Sequence, residues 1–211
     1  MSDPIDISVA LHAGLPIWPD SAGYAVEQTR SFAKGDDAFV SRIEMDVHAG
    51  THVEGPLHYL DGGEGLDATP LERFVGPAYV ADLRATETIG SDELDAADVP
   101  KQTERLLLRT TNSDLWRQET GFRRDYVALS AEGARWIARR GIGLVGIDYL
   151  SVQRFQDDPE THRILMRAGV AILEGLDLSQ AEPGHYRLTC LPLKLKGTEA
   201  APARAILEPQ P

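Results

Sequence analysis

The chain has 211 residues, and its 33 acidic residues outnumber its 21 basic residues, which gives a formal net charge of −12 at neutral pH. That length and an apolar content of 42% fit one globular domain over residues 1–211 with a sizeable core. The negative charge repels nucleic-acid phosphates and anionic lipids, so we expect a small-molecule substrate, and neither nucleic acid nor a membrane as partner.

The N-terminal residues 1–8, MSDPIDIS, lack the charged start and apolar middle of a signal peptide, which predicts a cytoplasmic protein. No run approaches the length of about 20 apolar residues that a membrane-spanning helix needs. Ile5, Ile7 and Val9 alternate with polar or small residues, and this period of two predicts a first strand. Residues 15–20, LPIWPD, follow as a turn stiffened by proline.

Residues 43–48 alternate apolar and polar side chains, which predicts a half-buried strand that ends at a histidine-rich segment. Helical zinc proteases carry a glutamate directly after their first histidine, but this position is Ala49 here. Gly50, Gly55 and Pro56 also disfavour a helix, by about 1 kcal/mol for glycine and about 3 kcal/mol for proline. The segment is therefore interpreted as a strand that turns into a loop.

The segment HAGTHVEGPLH, from His48 to His58, holds three of the six histidines of the chain and one glutamate. His48, His52 and Glu54 can supply three ligands to a metal and leave a position open for water. His58 is then left to move protons. Hydrogen bonding within a turn would explain one such histidine, but it does not readily explain three beside a carboxylate.

The later elements alternate between strands and helices, which indicates an α/β or α+β domain. The lone Cys190 excludes an internal disulfide framework and is interpreted as a small core residue. Predicted strands cover residues 78–83, 105–110, 142–148, 170–176 and 186–195, and residues 85–103 are loops with a short helical turn. Predicted helices cover residues 131–140, capped by Ser130 and closed by Gly141, and residues 160–168, opened by Asp158 and Pro159 and closed by Gly169.

His162 and Glu174 fall in the second of these helix and strand pairs, twelve residues apart. The start of a helix and the adjacent strand can face one cleft, so both side chains could reach a metal. His162 is equally consistent with a surface residue. Glu174 is the stronger signal, because an ionised carboxylate in the apolar strand VAILEGL is costly unless it is paired or metal-bound.

The segment HAGTHVEGPLH closely resembles the motif HxGTHxDxPxH of the cyclase-like metal hydrolases, which include bacterial kynurenine formamidase and isatin hydrolase. The resemblance extends over nearly the whole chain. It includes DIS at residues 6–8, PIWP at 16–19, GID at 146–148, His162 with Glu174, LPLKL at 191–195 and AAPARAIL at 200–207.

This resemblance implies a compact α/β (α+β) fold of the swivelling β/β/α type, with sheet or barrel strands and helices, assembled as a homodimer or homotetramer. It also implies a divalent metal, with zinc expected and manganese as the alternative, at one or two ions per subunit. In the implied site, one metal is bound by His48, His52 and the acidic residue at 54, and a second metal by that carboxylate with His162 and Glu174. His58 is the implied proton donor and acceptor, and Trp18 lines the implied substrate pocket.

Two residues depart from the motif. The aspartate of the family is Glu54 here, which keeps the charge but moves the carboxylate by roughly an ångström or more, so it could bridge two ions or bind one. Thr51 stands where kynurenine formamidases often carry alanine. Trp18, outside the motif, could equally be an ordinary core or surface residue.

The expected activity is hydrolysis of an amide C–N bond by metal-activated water, as in an arylformamidase of tryptophan catabolism, with His58 managing the protons. Three alternatives remain open from the sequence. The first is a hydrolase of cyclic amides or lactones like isatin hydrolase, the second is a cyclase or dehydratase, and the third is an inactive metal-binding scaffold.

Overall fold

The strands and helices are taken from a computed structural model that describes residues 3–118 and 121–210. The strands are β1 (Ile5–Asp6), β2 (Tyr24–Arg30), β3 (Val40–Met45), β4 (His52–Glu54), β5 (Val75–Asp82), β6 (Thr88–Ile89), β7 (Arg105–Arg109), β8 (Ala128–Leu129), β9 (Leu144–Ile147), β10 (Ala171–Glu174), β11 (Gly184–Pro192) and β12 (Ala200–Pro209). The α-helices are α1 (Ser91–Ala96), α2 (Ala131–Arg139) and α3 (Glu160–Arg167).

Seven strands close into a barrel-like sheet in the order β12, β11, β5, β7, β9, β10 and β4, because β4 pairs with both β10 and β12. Strands β5, β7, β9 and β10 run parallel, whereas β4, β11 and β12 join the ring through antiparallel pairs. Closure leaves these strands without a free edge. The expected α+β fold with barrel strands is therefore confirmed.

Two hydrophobic clusters lie on opposite sides of the parallel strands. Successive side chains of a strand point to opposite faces, so Leu107 and Leu173 join the cluster inside the barrel. Their neighbours Leu106 and Ile172 join the cluster on the outer face, together with Leu165 of α3. The outer wall of the barrel is thus covered by helices, and the segments beside them can form a cleft.

The two predicted helices are present, and local signals explain their ends. The hydroxyl of Ser130 accepts a hydrogen bond from the backbone N–H of Gly133 at 3.2 Å, which caps the start of α2. Gly141 and Gly169 have φ angles of 67° and 71°, the left-handed conformation that commonly ends a helix. None of the helices in the described ranges has the length and apolarity needed to cross a bilayer.

The prediction of a half-buried strand over residues 43–48 was wrong in its boundaries and burial. Strand β3 ends at Met45 and is almost entirely exposed, because it pairs with β2 in a hairpin. His52–Glu54, predicted as loop, forms β4 instead. The first strand is also shorter than predicted, ending at Asp6 with a single further bridge from Ser8 to Leu176. Pairing partners far along the chain decide these strands, and period two cannot reveal them.

Candidate metal centre

The candidate site lies on the outer wall of the barrel, where β4 and β10 run side by side. Val53 belongs to the cluster inside the barrel, so alternation turns His52 and Glu54 outward. Glu174 is directly opposite His52 in the antiparallel register, and cross-strand partners share a face. The sheet itself therefore brings two carboxylates and one imidazole together.

Three further histidines complete the cluster from the segments around β4 and from α3. His48 lies in the turn before β4, His58 ends the short 3-10 helix Pro56–His58, and His162 lies in the first turn of α3. Glu54 Oε1 lies 3.1 Å from His48 Nδ1, 3.7 Å from His52 Nε2 and 3.4 Å from His58 Nε2. Glu54 Oε2 lies 3.5 Å from His162 Nε2. The carboxylate of Glu174 lies 3.5 Å from His52 Nε2 through its Oε2 and 3.4 Å from His162 Nε2 through its Oε1.

These separations fit a shared cation. Ligand atoms about 2.1 Å from one tetrahedral ion are separated by roughly 3.4 Å from one another. Two groups of three residues each have ligand atoms that all lie within 4.8 Å of one another. The first group is His48, Glu54 and His58, and the second is His52, Glu54 and Glu174. Glu54 belongs to both sets, and its Oε2 is a buried atom without a hydrogen-bond partner among the described residues. Such an oxygen is costly unless a cation or a donor meets it.

Two of the three histidines predicted as ligands present their outer ring nitrogen to an oxygen at hydrogen-bond distance. His52 Nδ1 lies 2.9 Å from the carbonyl oxygen of Gly50, and His162 Nδ1 lies 3.2 Å from Gln153 Oε1. His48 Nε2 lies 3.4 Å from Glu199 Oε1 but makes no hydrogen bond to a described residue. The acceptors of His52 and His162 fix their tautomers and leave the inner nitrogens free to bind a metal.

His58 differs from His52 and His162. In the part of the chain that the structure describes, its ring makes no hydrogen bond to a backbone or amide acceptor, and its side chain is 26% exposed. Its ring instead packs edge-on against Tyr59, with centroids 4.2 Å apart. The ring therefore lies close to Glu54, but no acceptor on its outer side fixes its orientation. This arrangement is compatible with a role in proton transfer or as a metal ligand.

Burial and opposite charge compete at the buried groups. Burial raises the pKa of Glu54, but the imidazoles of His162, His48 and His52 outweigh this and hold it well below its ordinary value. Burial lowers the pKa of His52, yet hydrogen bonds and charge from Glu174 and Glu54 raise it to about 10. Without a cation, protonated histidines therefore balance the two carboxylates. A divalent ion would replace those protons.

A close backbone contact holds the turn that carries His48. Gly50 and Gly175 have φ angles of 70° and 71°, and a Cβ on Gly175 would lie 2.1 Å from the carbonyl oxygen of Gly50. Thr51 strengthens the contact, because its hydroxyl donates to the Gly175 carbonyl at 2.5 Å and accepts from the Val9 N–H at 2.9 Å. Thr51, noted from the sequence as a departure, thus secures the loop.

A cavity of about 380 Å³ opens above the cluster. Trp18 lines it, and its ring packs edge-on against Phe122 and Phe155 at centroid distances of 5.3 and 5.2 Å. The lining residues are Ile17, Trp18, Pro19, Asp20, Ser21, Asp46, Val47, His48, Ala49, His52, Glu54, His58, Tyr59, Leu150, Ser151, His162, Glu174 and Glu199.

All six residues singled out from the motif and its partners, together with Trp18, therefore line one cavity. Their roles as ligands, proton carrier and pocket wall remain predictions. The sequence did not indicate Gln153 or Glu199, which approach the histidines from other loops. Glu199 directly precedes the AAPARAIL segment, and this adjacency was the one available signal.

Comparisons with known proteins agree with one another. Residues 5–154 match a protein family described as "Putative cyclase". The chain is 36% identical over 213 residues to Cyclase-like protein 3 of Arabidopsis thaliana, covering 96% of this chain and 78% of that one. It is 35% identical over 212 residues to the kynurenine formamidase of Erythrobacter litoralis (strain HTCC2594), covering 98% and 94%. A solved structure described as a potential metal-dependent hydrolase with cyclase activity superimposes with a TM-score of 0.84 at 34% identity, covering 99% of both chains.

Proposed function

Since this chain belongs to the cyclase family, we propose that it is a metal-dependent hydrolase of amide C–N bonds, similar to an arylformamidase. The observation that carries the proposal is the convergence of four imidazoles on two buried carboxylates at the base of an open cavity. The Oε2 of Glu54, which has no hydrogen-bond partner among the described residues, supports a cation at that point. The related kynurenine formamidase supports an aryl amide as the substrate class.

We propose His48, His52 and Glu54 as the ligands of one ion. Where two ions are bound, the second would be held by Glu54, His162 and Glu174. Nitrogen and carboxylate ligands without cysteine suit zinc, and manganese is the alternative. When bound, such an ion supplies the Lewis acidity that activates water and polarises the amide carbonyl.

The side chains of the cavity perform the remaining tasks. His58 faces the cavity at 3.4 Å from Glu54, where its imidazole can accept a proton from water and then deliver it to the leaving nitrogen. Trp18, supported by two phenylalanines, offers a flat apolar wall on which an aryl group can pack. The outer hydrogen bonds of His52 and His162 keep their inner nitrogens aimed at the carboxylates.

Hydrolysis of formanilide tests this proposal directly. Protein loaded with zinc or manganese should release aniline and formate, and removal of the metal by a chelator should abolish turnover until metal is restored. Full activity in protein shown to be metal-free would refute metal catalysis. If the loaded protein hydrolyses neither formanilide nor a cyclic amide such as isatin, the inactive scaffold is the better description.

We further propose that the protein is a homodimer or homotetramer that uses the β2–β3 hairpin as an interface. Val26 and Ile43 are cross-strand partners on one face of this hairpin and are more than half exposed. The other face carries the ion pair between Glu27 and Arg42. An exposed apolar face beside a polar one is typical of a surface that a partner covers.

Light scattering on size-fractionated protein tests the interface. Ile43→Lys places a charge on the apolar face and should lower the measured mass towards one chain. The matched control is Ala25→Lys, because Ala25 is exposed and pairs with Glu44 on the polar face. A monomeric wild-type protein would contradict the proposed interface. An oligomeric wild type whose mass is unchanged in both variants would contradict it as well.

A further inference from the structure

The cavity over the metal centre has a one-sided charge. Among the described residues, five carboxylates line it, those of Asp20, Asp46, Glu54, Glu174 and Glu199, and no lysine or arginine does. With neutral histidines, one divalent ion leaves a formal charge of −3 and two ions leave −1. The cavity therefore stays negative at either metal content.

The three outer carboxylates differ in how the structure places them at the cavity. Asp46 accepts hydrogen bonds from the hydroxyl of Ser21 and, at 2.8 Å, from the backbone N–H of Ala22. Glu199 lies 3.4 Å from His48 Nε2, and its side chain is 37% exposed. Asp20 has a φ angle of 70°, a conformation rare for residues other than glycine, asparagine and aspartate. The turn around Trp18 thus carries its own acidic group at the cavity wall.

Two arginines close to this wall in the sequence or through a shared contact have partners of their own. The guanidinium of Arg124 stacks on Phe155 at 4.9 Å, on a ring that packs against Trp18. Arg163, which follows His162 in the chain, pairs with Asp158 at 2.9 Å. Neither arginine is part of the cavity lining. Among the described residues, the cavity therefore offers no cation that could pair with a carboxylate on a bound molecule.

We infer that the physiological substrate is an aryl amide whose aromatic portion is neutral or positively charged, and that the cavity discriminates against anionic aryl amides. This inference rests on the proposed function and names the substrate class within it. An anionic substituent on the substrate would lose its hydration in the cavity, face three carboxylates and find no cation to pair with. This is unfavourable in a partly enclosed site. A cationic substituent would find Asp20 or Glu199 within the same cavity.

Three formanilides of nearly equal size test the inference, with a meta carboxylate, carboxamide or aminomethyl group. For the metal-loaded protein, kcat/KM should be lowest for the carboxylate, by about tenfold relative to the carboxamide at low salt, and the gap should narrow at high salt. The aminomethyl compound should at least equal the carboxamide. Equal or faster turnover of the carboxylate would overturn the inference and leave the proposed function intact.

A matched pair of variants locates the discrimination. Asp20→Asn should raise the carboxylate-to-carboxamide ratio of kcat/KM by about threefold. Asp98→Asn is the control, because Asp98 also has a positive φ, 49°, and lies outside the cavity. It should leave the ratio unchanged. Equal ratios in both variants and the wild type would show that Asp20 does not contribute.

A binding experiment separates failure of the inference from failure of the proposed function. Benzohydroxamic acids with the same three substituents are titrated calorimetrically into metal-loaded protein, since hydroxamates bind metals without needing turnover. Weaker binding of the carboxylate than of the other two supports the inference even if no formanilide is hydrolysed. Equal affinities would overturn the inference alone, whereas no binding by any of the three would refute the metal site and, with it, both the proposed function and the inference.

Discussion

At the scale of single residues, Glu54 is the centre of the site. Its Oε1 lies 3.1–3.7 Å from nitrogens of His48, His52 and His58, and its Oε2 lies 3.5 Å from His162. The methylene that distinguishes glutamate from the aspartate of the motif therefore does not remove the carboxylate from either set of neighbours. The geometry is compatible with a carboxylate shared between two ions.

Glu54→Gln keeps the length of the side chain and removes its charge, so it tests this central position. The affinity for zinc should fall at least about 100-fold, because a first ligand and a buried negative charge are lost together. Competition with a chromophoric chelator measures the dissociation constant and the number of ions. Glu132→Gln, on the exposed side of α2, is the control, and unchanged affinity in Glu54→Gln would contradict the assignment.

His58→Ala separates a proton carrier from a ligand. If His58 moves protons, kcat for formanilide should fall by about 10²–10⁴-fold while the bound metal stays at the wild-type level. Metal content by mass spectrometry and steady-state kinetics on the same sample decide between the roles. Loss of metal would make His58 a ligand, as its proximity to His48 and Glu54 permits. Full metal with full activity would exclude both roles.

At the scale of elements, the contact between the β4 turn and the end of β10 positions half of the ligands. Gly175→Ala should destabilise the protein by about 2–4 kcal/mol, since its Cβ would lie 2.1 Å from the Gly50 carbonyl oxygen. Gly169→Ala is the matched control, with the same φ of 71° and, chain neighbours aside, no atom of a described residue within 4 Å of the new Cβ. It should cost only about 1 kcal/mol. Urea unfolding that gives equal losses would show that the contact is unimportant.

Asp148 joins the ends of β7 and β9 and predicts a pH dependence. It accepts hydrogen bonds from the N–H and hydroxyl of Thr110 at 2.9 and 2.7 Å and from the hydroxyl of Ser113 at 2.8 Å. Burial outweighs these bonds and raises the pKa of Asp148 from 3.8 to about 6. The folded state therefore binds a proton that the unfolded state releases as pH rises from about 4 to 6.

The free energy of unfolding of the wild type, relative to Asp148→Asn, should accordingly decrease by about 3 kcal/mol between pH 4 and 6 and stay level above that range. Denaturant titrations at several pH values measure this difference. Asp98→Asn, at an exposed position, should show no such trend. A difference that rises with pH would mean that the hydrogen bonds hold Asp148 ionised.

At the scale of the whole molecule, the metal should contribute to stability because its ligands come from separate parts of the fold. His48, His52, Glu54 and His58 surround β4, whereas His162 and Glu174 belong to α3 and β10. An ion that binds only the folded arrangement adds about 2.7 kcal/mol at a concentration 100 times its dissociation constant. For a chain of this size, that corresponds to roughly 5–10 °C in melting temperature.

Calorimetric melting of the chelated protein, with and without zinc, checks this expectation. Magnesium at the same concentration is the control, because it prefers oxygen ligands and should give little stabilisation. Identical melting temperatures with and without zinc would argue against a site that forms only on folding.

The sequence by itself determined the elements and residues whose signals are local. Capping at Ser130 and the glycines at 141 and 169 identified α2 and α3, and the crowding of His48, His52, Glu54 and His58 identified a ligand set. The motif also identified the family, because residue types at short spacing are directly readable.

Only the tertiary structure decided which strands close the barrel and that β4 is a strand. It also decided that Gln153 lies next to the outer nitrogen of His162 and Glu199 next to that of His48. Those features depend on hydrogen bonds and contacts between segments far apart along the chain. The same holds for the charge of the cavity, which became visible only when Asp20, Asp46 and Glu199 were brought to one wall. Local patterns report what a segment can form, whereas long-range packing selects what it meets.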